Sequence, residues 1–326
     1  MKTRIIDSSG SAITEIGFGS AGVGNLYRPI SYEAVSKAMT KAHKLGIRYF
    51  DTAPHYGAGL AERRMGVALE AMSRDDIFLS TKVGRVLHPD KNSHKKDADH
   101  YVEASPFDRE YDYSYDGIMR SFEDSLQRLG VSRIDMLFMH DIGELTHQEK
   151  NKVYFQQAID GGFSAMSELR EQGLVGNIGL GVNEWQVCDR AMEYAQFDCF
   201  MVANCFTLLN HDITDSFTDK CAANQVSLIA AAPFSSGILA KGSRDLGHYF
   251  YAEAPPDIVT KVVAIEAVCE QFDVSLQAAA IQYALRYDCV KSIAIGMASE
   301  ERVVQNIAWY QEAIPEAFWQ ALERVI

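Results

Sequence analysis

Short apolar runs recur along the chain and alternate with longer stretches of helical period. The runs are 15–19 (EIGFG), 47–51 (IRYFD), 77–82 (IFLSTK), 134–140 (IDMLFMH), 175–182 (VGNIGLGV), 199–205 (CFMVANC), 226–231 (VSLIAA) and 292–296 (SIAIG). They are bounded by turn residues and apolar on both faces, which is the signature of parallel strands covered by helices on each side. Helical periodicity falls at 32–45, 60–72, 116–129, 161–172, 185–195, 214–224, 257–286 and 299–311, with a further helix over 315–325. Eight strand-then-helix units predict an α/β protein closed into a (β/α)8 barrel; a doubly wound open sheet is the competing arrangement. Segment 3–14 (TRIIDSSGSAIT) predicts a small hairpin ahead of the first barrel strand. Segment 84–115 is polar and reads as a long connection, of the kind that is functional or mobile when found in a compact domain.

A chain of 326 residues without linker, repeat or low-complexity tract fits a single barrel domain over 1–326. The formal charge of −13 repels nucleic acid and anionic membrane surfaces, so neither is an expected partner. The N-terminal stretch MKTRIIDSSG lacks the apolar core of a secretory leader, and no apolar run is long enough to span a bilayer. None of the six cysteines, at 188, 199, 205, 221, 269 and 289, forms a C-x-x-C pair. They read as free buried thiols of a cytoplasmic protein. The stretch GFGSAG (17–22) fits G-x-G-x-x-G, but Pro29 and the absence of helical period before residue 32 argue against a Rossmann turn. It predicts instead a glycine loop at the end of the first strand, with Gly19 and Ser20 close to a bound cofactor or substrate.

In a barrel, chemistry sits at the C-terminal ends of the strands. That rule selects Asp51 at the end of the second run, Tyr56 in the loop after it, Lys82 at the end of the third and His140 at the end of the fourth. A phenol with an ordinary pKa of about 10 is a poor acid or base near neutrality. An adjacent ammonium favours the phenolate, and a partly buried ammonium needs a carboxylate beside it. The expected arrangement is therefore Asp51 holding Lys82, Lys82 tuning Tyr56, and His140 orienting a substrate oxygen. His88, His94 and His100, with Asp90, Asp97 and Asp99, match no metal-binding spacing, and a solvated loop is expected there. His147 is expected at the surface.

With these residues in place, the chain resembles the aldo-keto reductases along its whole length. The residues that carry the resemblance are DTAPHYG (51–57), STKVG (80–84), IDMLFMHD (134–141), GNIGLGVNEW (176–185), APFSSGILA (232–240) and IAIGMASEERVVQN (293–306). GVNEW, FTLLN (206–210) and APFSSGIL look most like the aldose 1-dehydrogenase branch and the related pyridoxal 4-dehydrogenases. The resemblance implies a nicotinamide cofactor bound without a Rossmann domain, and a catalytic tetrad at Asp51, Tyr56, Lys82 and His140. It also implies cofactor contacts at Gly19, Ser20, Asp51 and Asn183, at a pyrophosphate loop of Ser235, Ser236, Gly237 and Leu239, and at an adenosine end of Gly296, Met297, Arg302, Gln305 and Asn306. The chain departs from the pattern in places. Val182 stands where a Ser is usual before Asn183, Asn204 is the nearest substitute for a missing Gln, and Ala231 replaces a stacking aromatic, leaving Phe234 as compensation. Gly296 and Met297 stand where a Lys and a Ser often grip a 2′-phosphate, which predicts NAD rather than NADP, with Arg302 the remaining cation. The implied activity is oxidation of a small aldose at C1. Pyridoxal oxidation, general carbonyl reduction and a cofactor-sensing regulatory subunit are the alternatives.

Overall fold

The structure, a computed structural model, describes residues 1–6, 10–93, 99–214, 216–245, 248–250 and 252–326. Eight parallel strands close into a barrel: β1 (Ile16–Gly19), β2 (Tyr49–Asp51), β3 (Phe78–Val83), β4 (Ile134–His140), β5 (Val175–Val182), β6 (Cys199–Ala203), β7 (Ser227–Ala231) and β8 (Val290–Gly296). Their order around the barrel is their order in the chain, and β8 closes onto β1 with Ile293 opposite Ile16. The open-sheet alternative is thereby excluded. Every predicted strand is present, and the bounds of β4 and β5 match the apolar runs residue for residue.

The barrel is filled rather than hollow. Tyr49, Phe78, Met136, Phe138, Cys199, Met201, Ile229 and Ala294 form an interior cluster with Ile6 and Ile13. Ile6 and Ile13 come from the N-terminal segment, whose strands Thr3–Ile5 and Ala12–Thr14 pair antiparallel as expected. This segment plugs the end of the barrel opposite the strand C-termini. The Thr14 hydroxyl accepts from the amides of Arg48 and Tyr49, and Arg4 donates to the carbonyls of Leu285 and Val290. A second, larger apolar layer lies between strands and helices, so the apolar strand faces are covered on both sides.

Three predicted elements differ from the observed ones. The polar connection after β3 contains an antiparallel hairpin, Arg85–Pro89 against Phe107–Tyr111, whose outer positions are exposed and so conceal a period-2 pattern. The helix expected at 161 begins at Asn151, passes through a π-helical turn at Ala158–Gly162 and continues as Phe163–Glu171. The run expected over 257–286 is split: Pro256–Phe272 ends at Asp273, which adopts φ 54°, and Leu276–Gln282 follows.

Candidate active site

The C-terminal ends of the strands open into a cleft of about 510 Å³. Asp51, Tyr56, Lys82 and His140 all line it, as do Gly19, Ser20, Asn183, Ser236 and Gly296. Lys82 is 1% exposed, and its ammonium is held by three acceptors: Asp51 Oδ1 at 2.9 Å, Asp51 Oδ2 at 2.8 Å and the Thr52 carbonyl at 2.9 Å. A buried charge is tolerable on such terms, with its partner in place and its N–H groups satisfied. Below it the ladder continues. The Ser80 hydroxyl donates to Asp51 Oδ1 at 2.7 Å and lies 3.1 Å from the Tyr49 hydroxyl. Gly181 leaves room for the Lys82 stem, since a Cβ there would stand 3.3 Å from Lys82 Cε.

Tyr56 is placed by backbone packing. Gly24 and Gly57 meet so closely that a Cβ on Gly24 would lie 2.6 Å from the Tyr56 carbonyl carbon, and one on Gly57 would lie 2.4 Å from the Gly24 oxygen. Gly57 also has φ 64°, which a glycine adopts without strain. The Tyr56 ring so positioned has Lys82 Nζ 4.9 Å from its centroid and the His140 ring edge-on at 6.0 Å.

His140 is buried, and burial together with the nearby Arg85 and Lys82 cations pushes its pKa well below the usual imidazole value. It is therefore neutral near pH 7. Arg85 Nη1 lies 3.0 Å from His140 Nδ1, and a guanidinium can only donate, so the ring proton is on Nε2. Nε2 is 3.4 Å from Asp141 Oδ2, longer than a normal N–H···O bond, and so remains available toward the cleft. Arg85 is anchored in turn by Asp141 Oδ2 at 2.7 Å, and Tyr113 donates to the His140 carbonyl at 2.7 Å. Arg85, Asp141, Tyr113, Tyr49 and Ser80 were not legible as site residues in the sequence. His147 is a correction: it is buried, with its Nε2 2.9 Å from the Tyr113 hydroxyl, and burial lowers its pKa to about 4.

The other predicted residues are distributed as follows. Asn183 donates to Asp141 Oδ1 at 3.2 Å and accepts from Asn204 Nδ2 at 3.0 Å, so the two amides near β5 and β6 act as a pair. Buried Ser235 bonds Thr207, and the amides of Ser235, Gly237 and Leu239 donate to carbonyls of their own loop. The Leu239 and Met297 side chains belong to the apolar core. Phe234 packs edge-on against Trp309 rather than lining the cleft. Arg302 is exposed and bonds Gln305, and Asn306 is buried beside them on the helix Glu300–Gln311. His88 pairs with Glu110 and His100 lies against Tyr27, while His94 and Asp97 fall outside the described residues.

Buried polar atoms without a protein partner among the described residues include Ser20 Oγ, whose residue lines the cleft, Asn204 Oδ1 and Asn306 Nδ2. Unpaired buried polar atoms are costly and uncommon. Ser20 follows β1, Asn204 follows β6 and Asn306 lies on the helix Glu300–Gln311 after β8.

A filled barrel with a buried Lys–Asp pair, a tyrosine and a neutral histidine at its mouth defines an oxidoreductase of the aldo/keto reductase family, and the chain belongs to that family, whose sequence profile matches residues 15–326. Members of this family are NAD(P)-dependent. Among its relatives, a pyridoxal 4-dehydrogenase of Microbacterium luteolum is 37% identical, over 98% of this chain and 96% of the relative. A D-threo-aldose 1-dehydrogenase of a Pseudomonas species is 36% identical over 97% of this chain and 94% of the relative. The fold is similar to that of an aldo-keto reductase from Bacillus halodurans in its holo form, with a TM-score of 0.77 at 23% identity, covering 100% and 96% of the two chains.

Proposed function

We propose that the protein oxidises a small free aldose at C1, with NAD as the preferred cofactor. The observation that carries the reading is the Asp51–Lys82–Tyr56–His140 arrangement at the floor of the cleft. The nicotinamide would supply the hydride acceptor. Ser20, Asn183 and Asn204 would hold its amide end, Ser235, Ser236, Gly237 and Leu239 would form the pyrophosphate loop, and Gly296, Met297, Arg302, Gln305 and Asn306 would hold the adenosine. Tyr56 accepts the proton from the substrate hydroxyl in oxidation and returns it in reduction. The ammonium of Lys82 beside its ring favours the phenolate that this requires. Asp51 holds the Lys82 side chain in place with both carboxylate oxygens. His140 donates from Nε2 to the reacting oxygen and fixes its angle to Tyr56. Such positioned proton transfer contributes about 10²–10⁴ in rate.

A second reading, oxidation of pyridoxal, is favoured by the relative of that name and by the aromatic rim of Tyr27, Tyr101 and His100 around the cleft. A dehydrogenase assay with NAD and NADP against free aldoses and pyridoxal separates the two. Turnover of sugars supports the first reading and turnover of pyridoxal alone the second. Nucleotide binding with no turnover of either, or of simple aldehydes, would favour a cofactor-sensing subunit.

A further inference from the structure

The loop before Tyr56 carries a second histidine, His55, which lines the same cleft. Its surroundings repeat those of His140. Arg109 Nη1 lies 3.0 Å from His55 Nδ1, as Arg85 Nη1 lies 3.0 Å from His140 Nδ1. Arg109 is paired with Asp99 at 3.0 Å, as Arg85 is with Asp141 at 2.7 Å. Both arginines come from the hairpin after β3. Arg85 faces Tyr111 and Leu87 faces Arg109 across it, so the alternation of side chains puts Arg85, Leu87, Arg109 and Tyr111 on one face. That face is turned to the cleft, because both guanidinium groups reach histidines that line it.

A guanidinium has no lone pair to offer, so each arginine fixes the tautomer of its histidine with the proton on Nε2. Burial and the surrounding cations, Arg85, Arg109 and Lys82, keep His55 neutral as well. The two rings meet edge to face with centroids 5.8 Å apart. Among the described residues, none accepts from His55 Nε2. The site therefore holds two adjacent, oriented N–H donors, where moving the proton of one reacting group requires only one.

We propose that His55 is a specificity-determining residue that donates from Nε2 to a second substrate oxygen, on the carbon next to the reacting one, so that the cleft selects α-hydroxy carbonyl compounds and the sugars derived from them. Arg109 is its positioning residue. The inference rests on the reading that the cleft performs carbonyl–alcohol chemistry, and it narrows the substrate class of that site. An aldehyde without the neighbouring hydroxyl leaves the His55 donor unpaired against the substrate, and a site built to hydrogen-bond a hydroxyl rejects an analogue that lacks it.

The test is reduction of lactaldehyde and propanal, which differ by the 2-hydroxyl alone, by wild type, His55→Phe, His55→Gln and Arg109→Met. Wild type is expected to favour lactaldehyde in kcat/KM by tenfold or more. His55→Phe should shrink that ratio about tenfold, His55→Gln, which keeps an N–H donor, should restore part of it, and Arg109→Met should shrink it severalfold by freeing the tautomer. A wild-type ratio near one, or a ratio unchanged in His55→Phe, overturns the proposal. If His55→Phe does not fold, an unchanged ratio in Arg109→Met overturns it equally. The aldose reading fails separately, by absence of sugar oxidation in wild type, and a ratio that still collapses in His55→Phe would then support His55 on other α-hydroxy carbonyls.

Discussion

The two sides of the barrel mouth are built differently. On the side of β2, β3 and β4, every polar group of the Tyr49–Ser80–Asp51–Lys82 ladder has a protein partner, and the charged pair is almost fully buried. On the side of β8 and β1, the cation Arg302 is exposed, and the buried atoms Ser20 Oγ and Asn306 Nδ2 have no partner among the described residues. That ladder is preorganised by the protein alone, so its geometry is fixed before any ligand arrives, although Thr52 Oγ1 and Arg85 Nε beside it also have no partner among the described residues. On the function proposed above, the second half is completed by the cofactor, and its energetics belong to the complex. Changes in the first half should act on turnover and folding, and changes in the second on affinity and cofactor choice.

Tyr56→Phe removes from the first half the hydroxyl proposed to move the proton. Turnover is expected to fall about 10²–10⁴-fold, while cofactor affinity, set by the other half, stays within a few-fold by fluorescence titration. Retention of more than a tenth of wild-type kcat would remove Tyr56 from the proton-transfer role. Lys82→Met leaves the Asp51 carboxylate buried without its counter-charge, and removing one partner of a buried pair costs about 3–5 kcal/mol. Chemical denaturation should register that loss, and in any variant that remains active the basic limb of the pH profile should move upward. An unmoved profile would confine Lys82 to a structural role.

The second half is probed at Gly296, where a Cβ would meet nothing within 4 Å among the described residues, so a side chain fits without displacing its neighbours. Gly296→Lys should shift preference toward NADP by at most one charge-assisted contact, roughly 1.5–3 kcal/mol. The ratio of kcat/KM for the two cofactors reports it. A wild-type ratio already favouring NADP by more than tenfold would mean that cations elsewhere complete the phosphate site.

The smallest expected effect sharpens the contrast through pH. His147, buried against Tyr113, has its pKa lowered to about 4, whereas an unfolded histidine titrates near 6.5. Between those values the unfolded chain binds a proton that the folded one does not. Stability should thus be full above pH ~6.5 and fall as the pH drops toward about 4. His147→Gln should flatten that slope in denaturation curves at pH 7 and 5, and an unaltered slope would place the sensitivity at His55 and His140.

Much of the barrel was legible because parallel strands covered on both faces must be apolar throughout, and the chain writes them as uninterrupted runs such as 134–140. Asp51, Lys82 and His140 were legible for the complementary reason, as polar residues where those runs stop. Arg85 and Arg109 were not, because they lie on a hairpin with one wet face, where charged residues are ordinary. His55 was masked by its neighbour Tyr56, since only the fold shows that Arg109, 54 positions away, meets its Nδ1. The helical turns from Asn151 were missed because the π turn at Ala158–Gly162 breaks the 3.6-residue period.

The plug at the closed end of the barrel has a kinetic consequence. Arg4 is tied to the carbonyls of Leu285 and Val290, Glu15 accepts from Tyr310, and Ile16 pairs with Ile293. Sequence separations of 281, 286 and 295 residues make these among the most expensive loops the chain has to close. Strands early in the chain can gather helices as they emerge from the ribosome, but the ring has no seam to shut until its eighth strand exists. Closure therefore waits for the last strand, and a chain that lacks it carries two open sheet edges that invite pairing with other chains.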